Sequence, residues 1–451
     1  MKLIEILKSN ESKILEFKRN LSSPEGILKT IVAFANTSGG TLLVGIEDRT
    51  RNVCGVKDPL EVEIRLTNLI VDRISPRIIP DIEILPWRST HVLQVNIPLS
   101  SQRPHALLLS GNRKMVYVRI GSTNRKADEN LIAELSRSVM PKGYDEEPIP
   151  DLNSEDINFR VASELFEPIR KLSKKDLLSL NLMISYHGNT VPTVGGILLF
   201  GGERLKHFPD AWIQVGRFAG RSRSRIVDQR RLTSDLINGI AEAMEFVKKH
   251  SLFGAEIKDL HRSDRWNIPI VAIREALVNA VVHADYSQQG APIRVSIFQD
   301  RIEIENPGLL PFGLTIEDLR NGVSKLRNRV IGRIFHILGL IEQWGSGIGR
   351  MTEACLKAGL QVPILEEIGM HFRVTFMLER VSGLSVEEKD QAILDALAGG
   401  EGMTTSEIAK IIELSSRATR TRLVKLIELG LMVEIGTNPK DPRRKYYLAE
   451  S

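Results

Sequence analysis

The side chains best suited to chemistry lie in one apolar, helix-like stretch of the sequence. Glu275 and Asn279 are four residues apart, so both project from the same helix face, and His283 and Asp285 follow at its end. An amide oxygen can ligate a hard cation such as Mg²⁺, and a carboxylate can orient or deprotonate a water molecule. The pair therefore predicts a magnesium-and-water site.

Two further elements follow in order along the chain. Asn306, Pro307 and Gly308 end a strand-like segment, and a glycine-rich turn, Gly345 to Gly349, opens a helix-like one. Glycines at a helix N-terminus let backbone N–H groups approach phosphate oxygens, and the positive end of the helix favours an anion. The glycine-rich turn therefore predicts a site for a phosphate group.

These segments resemble the GHKL ATPases, the family of gyrase and the histidine kinases, and in particular a divergent branch found in predicted transcriptional regulators. The resemblance rests on REALVNAVVHADY (274–286), IEIENPGLLP (302–311) and RNRVIGRIFHILGLIEQWGSGIGRM (327–351). It implies a Bergerat-type α/β sandwich that binds ATP with Mg²⁺. A nucleotide-free fold of this type, kept as a dimerisation module, is the structural alternative.

The resemblance also implies roles for single residues. Asn279 would hold the magnesium ion, Glu275 would be the general base, and residues 309–327 would form a lid. Most of the family has an aspartate that accepts a hydrogen bond from the adenine N6 amine; this chain has Asn306, whose amide oxygen can accept the same bond. The other expected cofactor-binding residues are Asp285, Gly308, Lys325, Arg327, Gly345, Gly347 and Gly349.

A second group of segments lies near the N-terminus. ESKILEFKRN (11–20), AFANTSGGTLLVGIEDRT (33–50) and VRIGSTNRKA (118–127) resemble the AlbA-like domain of schlafen proteins. In nucleolytic members of that family, carboxylates matching Glu11, Glu16 and Asp48 gather a divalent metal, Mg²⁺ or Mn²⁺, for phosphodiester cleavage. In other relatives the domain only binds nucleic acid, so both roles stay open. The expected nucleic-acid contacts of this domain are Arg119 and Arg125.

The C-terminal segment has the pattern of a nucleic-acid reader. Residues 404–429 hold two helical patterns separated by a turn, followed by strands VEIG and YYLA with the basic loop NPKDPRRK between them. Helix, turn, helix and β-wing is the winged-helix arrangement, in which the second helix enters the major groove. Arg420 is the expected base contact, and a winged helix used for protein contact is the alternative. The expected nucleic-acid-binding residues are Arg417, Thr419, Arg420, Lys440, Arg443, Arg444 and Lys445.

The elements that must position these residues indicate an α+β multidomain fold. The patterns predict a helix over 24–37, a strand in GGILLFG (195–201) and a hairpin over 293–308. The expected domains are an AlbA-like domain (1–142), a linker (143–154), an α+β connecting domain (155–255), a GHKL-like ATP-binding domain (256–382) and a winged helix (383–451).

Composition and charge narrow the class of protein. The 451 residues are 42% hydrophobic and 26% charged, which excludes a disordered or collagen-like chain. No apolar run has the length of a bilayer span and no signal peptide is evident, so we expect a cytoplasmic protein without a membrane partner. The net charge of +5 is unevenly distributed along the chain. Positive charge is concentrated in residues 416–446, which contain eight basic and three acidic residues.

Together these patterns predict a transcriptional regulator that binds ATP and DNA, with RNA as the alternative nucleic acid. Lid and subunit rearrangement in a homo-oligomer, a dimer being favoured, would modulate nucleic-acid binding. Enzymatic activity stays open between a weak ATPase and a metal-dependent nuclease. One alternative is a schlafen-like nuclease, active in phage defence, that the ATP-binding module gates. Another is an assembly module that binds nucleotide structurally.

Overall fold

The computed structural model describes residues 3–48, 50–111, 113–258, 261–342, 345–379, 388–397, 402–428, 431–435 and 444–448. The chain forms two compact units. Met1–Asp128 and Gly383–Ser451 make up the first, and Glu129–Ser382 make up the second. The N-terminal and C-terminal segments, which the sequence analysis treats as separate domains, therefore belong to one unit.

The N-terminal segment of the first unit contains two four-stranded sheets, ordered β1-β2-β5-β4 and β3-β6-β7-β8. Strands β1 and β2 pair in parallel, and the other neighbours pair antiparallel. The elements are α1 (Leu3–Lys8), β1 (Leu15–Lys18), α2 (Pro24–Thr37), β2 (Gly40–Val44), α3 (Pro59–Arg73), β3 (Ile74–Ser75), β4 (Asp81–Trp87), β5 (Thr90–Ile97), β6 (Ala106–Leu109), β7 (Arg113–Ile120) and β8 (Thr123–Lys126).

Helix α2 contributes much of the core of this segment and coincides with the helix predicted over 24–37. Pro24 suits the first turn, where a missing N–H costs no hydrogen bond, and Ile27, Ile31 and Phe34 are buried. The helix stops because Gly39 adopts a positive φ of +73°, and a Cβ there would lie 2.9 Å from the Ile97 carbonyl oxygen.

The second unit is built around a six-stranded sheet with the order β12-β11-β15-β16-β18-β17. Its elements are α4 (Glu129–Ser138), α5 (Phe159–Phe166), α6 (Asp176–Ser179), β9 (Met183–Tyr186), β10 (Asn189–Pro192), α7 (Val194–Phe200), α8 (Arg204–His207), β11 (Ile213–Phe218), β12 (Ile226–Leu232), α9 (Leu236–His250), β13 (Leu252–Lys258), β14 (His261–Trp266), α10 (Ile270–His283), β15 (Ile293–Ile297), β16 (Arg301–Pro307), α11 (Ile316–Arg320), α12 (Arg329–Ile337), α13 (Gly347–Lys357), β17 (Ile364–Ile368) and β18 (His371–Met377).

The sheet crosses the domain boundary predicted at residue 255. Strand β11 pairs in parallel with β15, so the region 155–255 supplies two strands to the sheet that also carries the predicted nucleotide segments. The apolar core is likewise continuous, because Val215, Val295 and Ile304 belong to one buried cluster. The two regions therefore fold around a single core.

Two local predictions in this unit have different outcomes. The hairpin over 293–308 is confirmed as the antiparallel pair β15 and β16. The strand predicted in GGILLFG is wrong, because these residues form helix α7, whose N-terminus is capped by the Thr193 hydroxyl. Every residue of α7 is buried, and an apolar run without a polar face has no periodicity that distinguishes a helix from a strand.

The C-terminal segment contains three helices and two short strands, and the second and third helices coincide with the two predicted over 404–429. They are α14 (Glu388–Leu397), α15 (Thr405–Ile411), α16 (Ser416–Glu428), β19 (Met432–Ile435) and β20 (Lys445–Leu448). The two strands form an antiparallel hairpin. None of the helices in the described ranges of the chain is long and apolar enough to cross a membrane.

The two faces of the C-terminal hairpin have different partners. Met432 and Tyr446 pack against the helices of the C-terminal segment. Val433, Ile435 and Tyr447 join a buried cluster with apolar residues of α1, β1 and β2. Because side chains alternate along a strand, one face completes the helical core and the other attaches the hairpin to the N-terminal segment.

Candidate functional site

Helix α10 presents three polar side chains to one cleft of the second unit. Glu275, Asn279 and His283 follow one another at intervals of four residues and line this cleft. Most of the other residues of α10 are buried in the core, which fixes the helix and therefore the direction of these side chains. The predicted Glu275 and Asn279 pair therefore faces a cavity.

The cleft contains about 1010 Å³ of space not filled by protein atoms, including open solvent at its mouth. Its remaining walls come from Asn306 of β16, the predicted lid, the glycine-rich turn and two residues of β18, Phe372 and Val374. Much of the lining is apolar, and the polar groups cluster on α10 and around Gly345. An apolar chamber with a few convergent polar groups is the usual form of a small-molecule site.

The glycine-rich turn approaches α10 closely. Gly345 has a positive φ of +66°, and a Cβ there would lie 2.3 Å from the Gly322 carbonyl oxygen. A Cβ on Gly347 would lie 2.3 Å from Oε1 of Glu275 and 3.3 Å from Nδ2 of Asn279. Helix α13 begins at Gly347, so its first backbone N–H groups and the positive end of its dipole are at the cleft.

Gly349 does not take part in this close approach. It is outside the lining of the cleft, and a Cβ there would meet no atom within 4 Å. Of the three glycines expected to cradle phosphates, the structure brings Gly345 and Gly347 to the cleft and places Gly349 in the first turn of α13, with open space beside it.

Glu275 is held in an ion pair that the sequence analysis missed. Nη2 of Arg350 lies 2.9 Å from Oε2 of Glu275, and Arg350 also pairs with Glu342. Glu275 is only 6% exposed, and the ion pair engages Oε2 of its carboxylate. Arg350 lies three residues after Gly347 on α13, and this spacing is the one signal in the sequence that could have placed it near α10.

The surroundings of Asn306 and His283 set the orientation of the Asn306 amide and the charge of the His283 ring. The Asn306 amide donates to the Pro307 carbonyl oxygen at 3.0 Å, so its side-chain oxygen is the atom oriented to accept a further bond. Burial lowers the pKa of His283 to about 4, and the charge of Arg327 acts in the same direction. His283 therefore lines the cleft as a neutral imidazole near pH 7.

Besides Gly349, three of the expected cofactor-binding residues lie outside the lining of the cleft. Asp285 accepts hydrogen bonds from the backbone and hydroxyl of Ser287, as in a local turn. Gly308 packs against Asp285 and Arg327, and a Cβ there would lie 2.9 Å from Cβ of Asp285. Arg327 pairs with Glu134 and donates to the Leu309 carbonyl oxygen. Arg327, the last residue of the predicted lid, is therefore held by Glu134 and Leu309 outside the lining of the cleft.

Lys325 has a different position. It lines the cleft, and its Nζ donates to the Phe312 carbonyl oxygen at 3.1 Å, which ties the two ends of the lid together. The structure thus brings Glu275, Asn279, Asn306, Lys325, Gly345 and Gly347 to one cavity, as predicted from segments about 70 residues apart along the chain.

The N-terminal carboxylates occupy the first unit. Glu11 accepts a hydrogen bond from the Phe17 backbone at 2.8 Å. Burial raises the pKa of Glu11 to about 7, and the charges of Glu16 and Asp48 act in the same direction, so the three groups are near one another. Glu16 is already paired with Arg119 at 2.5 Å and with Lys18. In the part of the chain that the structure describes, no group of three His, Cys, Asp or Glu residues is arranged to hold a metal ion.

Arg119, an expected nucleic-acid contact, requires a correction. Its side chain is 0% exposed, and besides Glu16 it donates to the carbonyl oxygens of Ser12 and Leu15 and to the side chain of Asn124. A guanidinium enclosed in this way cannot reach a phosphate backbone; it ties β7 to the strand β1 region. Arg125 on β8, in contrast, is exposed.

The expected nucleic-acid-binding residues of the C-terminal segment also include both exposed and buried side chains. Arg417 and Arg420 are exposed on the first half of α16, whereas Thr419 is 0% exposed and its hydroxyl donates to the Ser415 carbonyl oxygen. The Thr419 side chain therefore bonds back to the start of α16 and does not face solvent. In the hairpin, Arg444 pairs with Glu434 at 2.8 Å and Lys445 is exposed. The predictions for Lys440 and Arg443 fall outside the described residues.

Comparison with protein families identifies two domains. Residues 11–128 match the family model described as "Schlafen, AlbA_2". Residues 290–376 match the model described as "Putative ATP-dependent DNA helicase recG C-terminal", an ATPase-type family, and this range contains Asn306 and the glycine-rich turn. The chain thus combines a Schlafen AlbA_2 domain with a RecG-like ATPase-type domain, as the resemblances indicate, and this combination suggests a nucleotide-binding protein.

Two solved structures are similar to the chain. The DIP2311 protein from Corynebacterium diphtheriae is 17% identical, over 99% of this chain and 98% of its own, with a TM-score of 0.46. The N-terminal domain of a "Putative ATP-dependent DNA Helicase RecG-related Protein" from Nitrosomonas europaea is 23% identical, over 28% of this chain and 94% of its own, with a TM-score of 0.24. Comparison with curated proteins found no match.

Proposed function

We propose that the protein is a DNA-binding transcriptional regulator that binds ATP with Mg²⁺ in the cleft of its second unit. The observation that carries the proposal is the convergence of Glu275, Asn279 and Gly347, where a helix N-terminus meets a carboxylate and a carboxamide. This combination suits a polyphosphate with a bound hard cation. The apolar remainder of the cleft suits the base of the nucleotide.

Each part of ATP–Mg has a counterpart in the cleft. The Gly345 to Gly347 turn would bind the phosphates, because Gly345 and Gly347 have no Cβ atom and leave the backbone N–H groups accessible. The side-chain oxygen of Asn306 suits the adenine amine, since its own amide is already engaged by Pro307. Asn279 suits the Mg²⁺ ion, which would neutralise phosphate charge when bound. The lid, with Lys325 in the cleft wall, would keep water from the ligand.

Asn279 provides the direct test of nucleotide binding. We expect Asn279→Ala to weaken ATP–Mg binding about 10- to 100-fold, since a hydrogen bond or ligand bond to a charged group contributes about 1.5–3 kcal/mol. Isothermal titration calorimetry on the full chain measures the change. Asn189→Ala, an exposed substitution on β10, is the matched control and should bind as the wild type does. An absence of binding by the wild type would refute the ATP proposal.

For DNA binding, the geometry of the C-terminal segment supports a winged-helix role. Three helices precede an antiparallel hairpin, and the second of two adjacent helices, α16, exposes Arg417 and Arg420. We propose that α16 enters the major groove, that Arg420 contacts a base edge and that the hairpin contacts phosphates. A homodimer would place two such helices on a palindromic site.

Arg420 provides the test of this second element. We expect Arg420→Ala to weaken binding to a DNA fragment selected by the wild type about 5- to 150-fold, because a bidentate base contact contributes about 1–3 kcal/mol. Fluorescence anisotropy with the selected and a scrambled fragment measures affinity and selectivity. Arg160→Ala, which removes a guanidinium that is 86% exposed in the second unit, is the control. Unchanged selectivity in Arg420→Ala would contradict the assignment.

A further inference from the structure

Arg350 connects the candidate catalytic carboxylate to the rim of the cleft. Its guanidinium pairs with the buried Glu275 on one side and with Glu342, whose side chain is 58% exposed, on the other. Glu342 in turn accepts a hydrogen bond from the Ser346 hydroxyl at 2.9 Å. The resulting chain of four side chains, here named the Arg350 bridge, joins α10 to the glycine-rich turn.

The Arg350 bridge engages one oxygen of the Glu275 carboxylate. Oε2 accepts from Arg350 at 2.9 Å, and Oε1 faces the start of α13, where a Cβ on Gly347 would lie 2.3 Å from it. A carboxylate that acts as a general base must accept a hydrogen bond from the water it activates. The lone pair of Oε2 that accepts from Arg350 is not available to that water, so the ion pair competes with the water for Glu275.

From this geometry we propose that Arg350 is a positioning residue that restrains Glu275, so that bound ATP is hydrolysed slowly and the nucleotide-bound state persists. The inference rests on the proposed ATP-binding function and deepens it. In hydrolysis, the water oxygen forms a bond to the γ-phosphorus, the bond from that phosphorus to the β–γ bridging oxygen breaks, and ADP and inorganic phosphate leave. Glu275 accepts the water proton and releases it to solvent. The ion pair with Arg350 restrains the rotation of Glu275 toward that water.

Slow hydrolysis suits the regulatory role. The activity of such a regulator depends on the fraction of molecules that have nucleotide bound. Rapid hydrolysis would reduce the lifetime of the ATP-bound state and therefore this fraction. The exposed Glu342 shares Arg350 with Glu275, so a change at the rim of the cleft can alter the restraint on the buried carboxylate.

Arg350→Met tests the proposal, because methionine retains much of the side-chain volume and removes the charge. We expect the turnover number for ATP to rise about tenfold, since a charge-assisted hydrogen bond of about 1.5 kcal/mol no longer holds Glu275. KM should change less than about twofold if Arg350 acts on Glu275 and not on the bound nucleotide. Arg350→Lys, which can still form the ion pair, should remain near the wild-type turnover.

Glu342→Gln is the opposing control. It leaves Arg350 with Glu275 as its one acidic partner in the bridge, so turnover should stay at or below the wild-type value. Steady-state phosphate release and calorimetric ATP binding are measured on each full-length variant. If Arg350→Met does not fold, Arg350→Gln removes the same charge.

The outcomes separate the two proposals. Turnover that falls or stays unchanged in Arg350→Met or Arg350→Gln, with ATP binding retained, overturns the restraint and leaves the ATP-binding proposal standing. An absence of ATP binding in the wild type overturns the ATP-binding proposal itself.

Discussion

Gly347→Ala should weaken ATP–Mg binding about tenfold or more, although it adds only one methyl group. The new Cβ would lie 2.3 Å from Oε1 of Glu275, and this carboxylate cannot move freely because Arg350 holds its other oxygen. The backbone of the glycine-rich turn or the Glu275–Arg350 pair must therefore shift. Either shift removes the alignment of backbone N–H groups on which phosphate binding at a helix N-terminus depends. Titration calorimetry measures the loss.

Gly349→Ala is the matched control, two residues further along the same helix. Its Cβ would meet no atom within 4 Å, so nucleotide affinity should be unchanged. Alanine in a helix interior is more favourable than glycine, and we expect the variant to be more stable by about 0.5–1 kcal/mol. Equal losses of affinity in both variants would contradict the role assigned to the Gly347 approach.

Arg119→Ala should destabilise the first unit by about 3–5 kcal/mol, the cost of removing one partner from a buried ion pair. The substitution leaves Glu16 without its buried partner at 2.5 Å and leaves the carbonyl oxygens of Ser12 and Leu15 without this donor. Urea unfolding gives the change in the free energy of unfolding. Hydrogen exchange, followed by mass spectrometry, locates it to peptides from β1 and β7.

Arg125→Ala separates stability from nucleic-acid binding. Arg125 is exposed on β8, only six residues from Arg119, so its removal should change stability by less than about 0.5 kcal/mol. If Arg125 contacts phosphates, the variant weakens nucleic-acid binding and lowers its salt dependence. The assignment of Arg119 as a structural residue fails if Arg119→Ala unfolds at the wild-type urea concentration.

The polar face of α10 shows how much of the candidate site is predictable from sequence. Glu275 and Asn279 face the same cavity because helical periodicity alone places residues four apart on one side. The glycine-rich turn is predictable for a similar reason, since glycine at a helix start leaves the backbone accessible. In contrast, the apolar run of α7 contains no polar face, and its helical state depends on the core that surrounds it.

The sequence was least informative about whether a given arginine is buried or exposed and about which residue it pairs with. Arg119 and Arg125 belong to the same basic segment, yet one is buried and the other is exposed. The difference arises from Glu16, which is 103 positions away from Arg119 in the sequence and adjacent to it in space. Arg350 is a similar case, because its partner Glu275 is 75 positions away.

Local spacing is enough to predict the carboxylate and carboxamide pair, the glycine-rich turn, the β15–β16 hairpin and the order of the C-terminal helices and strands. Long-range packing establishes which charges are paired, that one sheet spans residues 213–377, and that the C-terminal hairpin packs on the N-terminal segment. The physical reason is that periodicity reports only the face on which a side chain lies. Its partner on that face is set by packing between residues far apart in the chain.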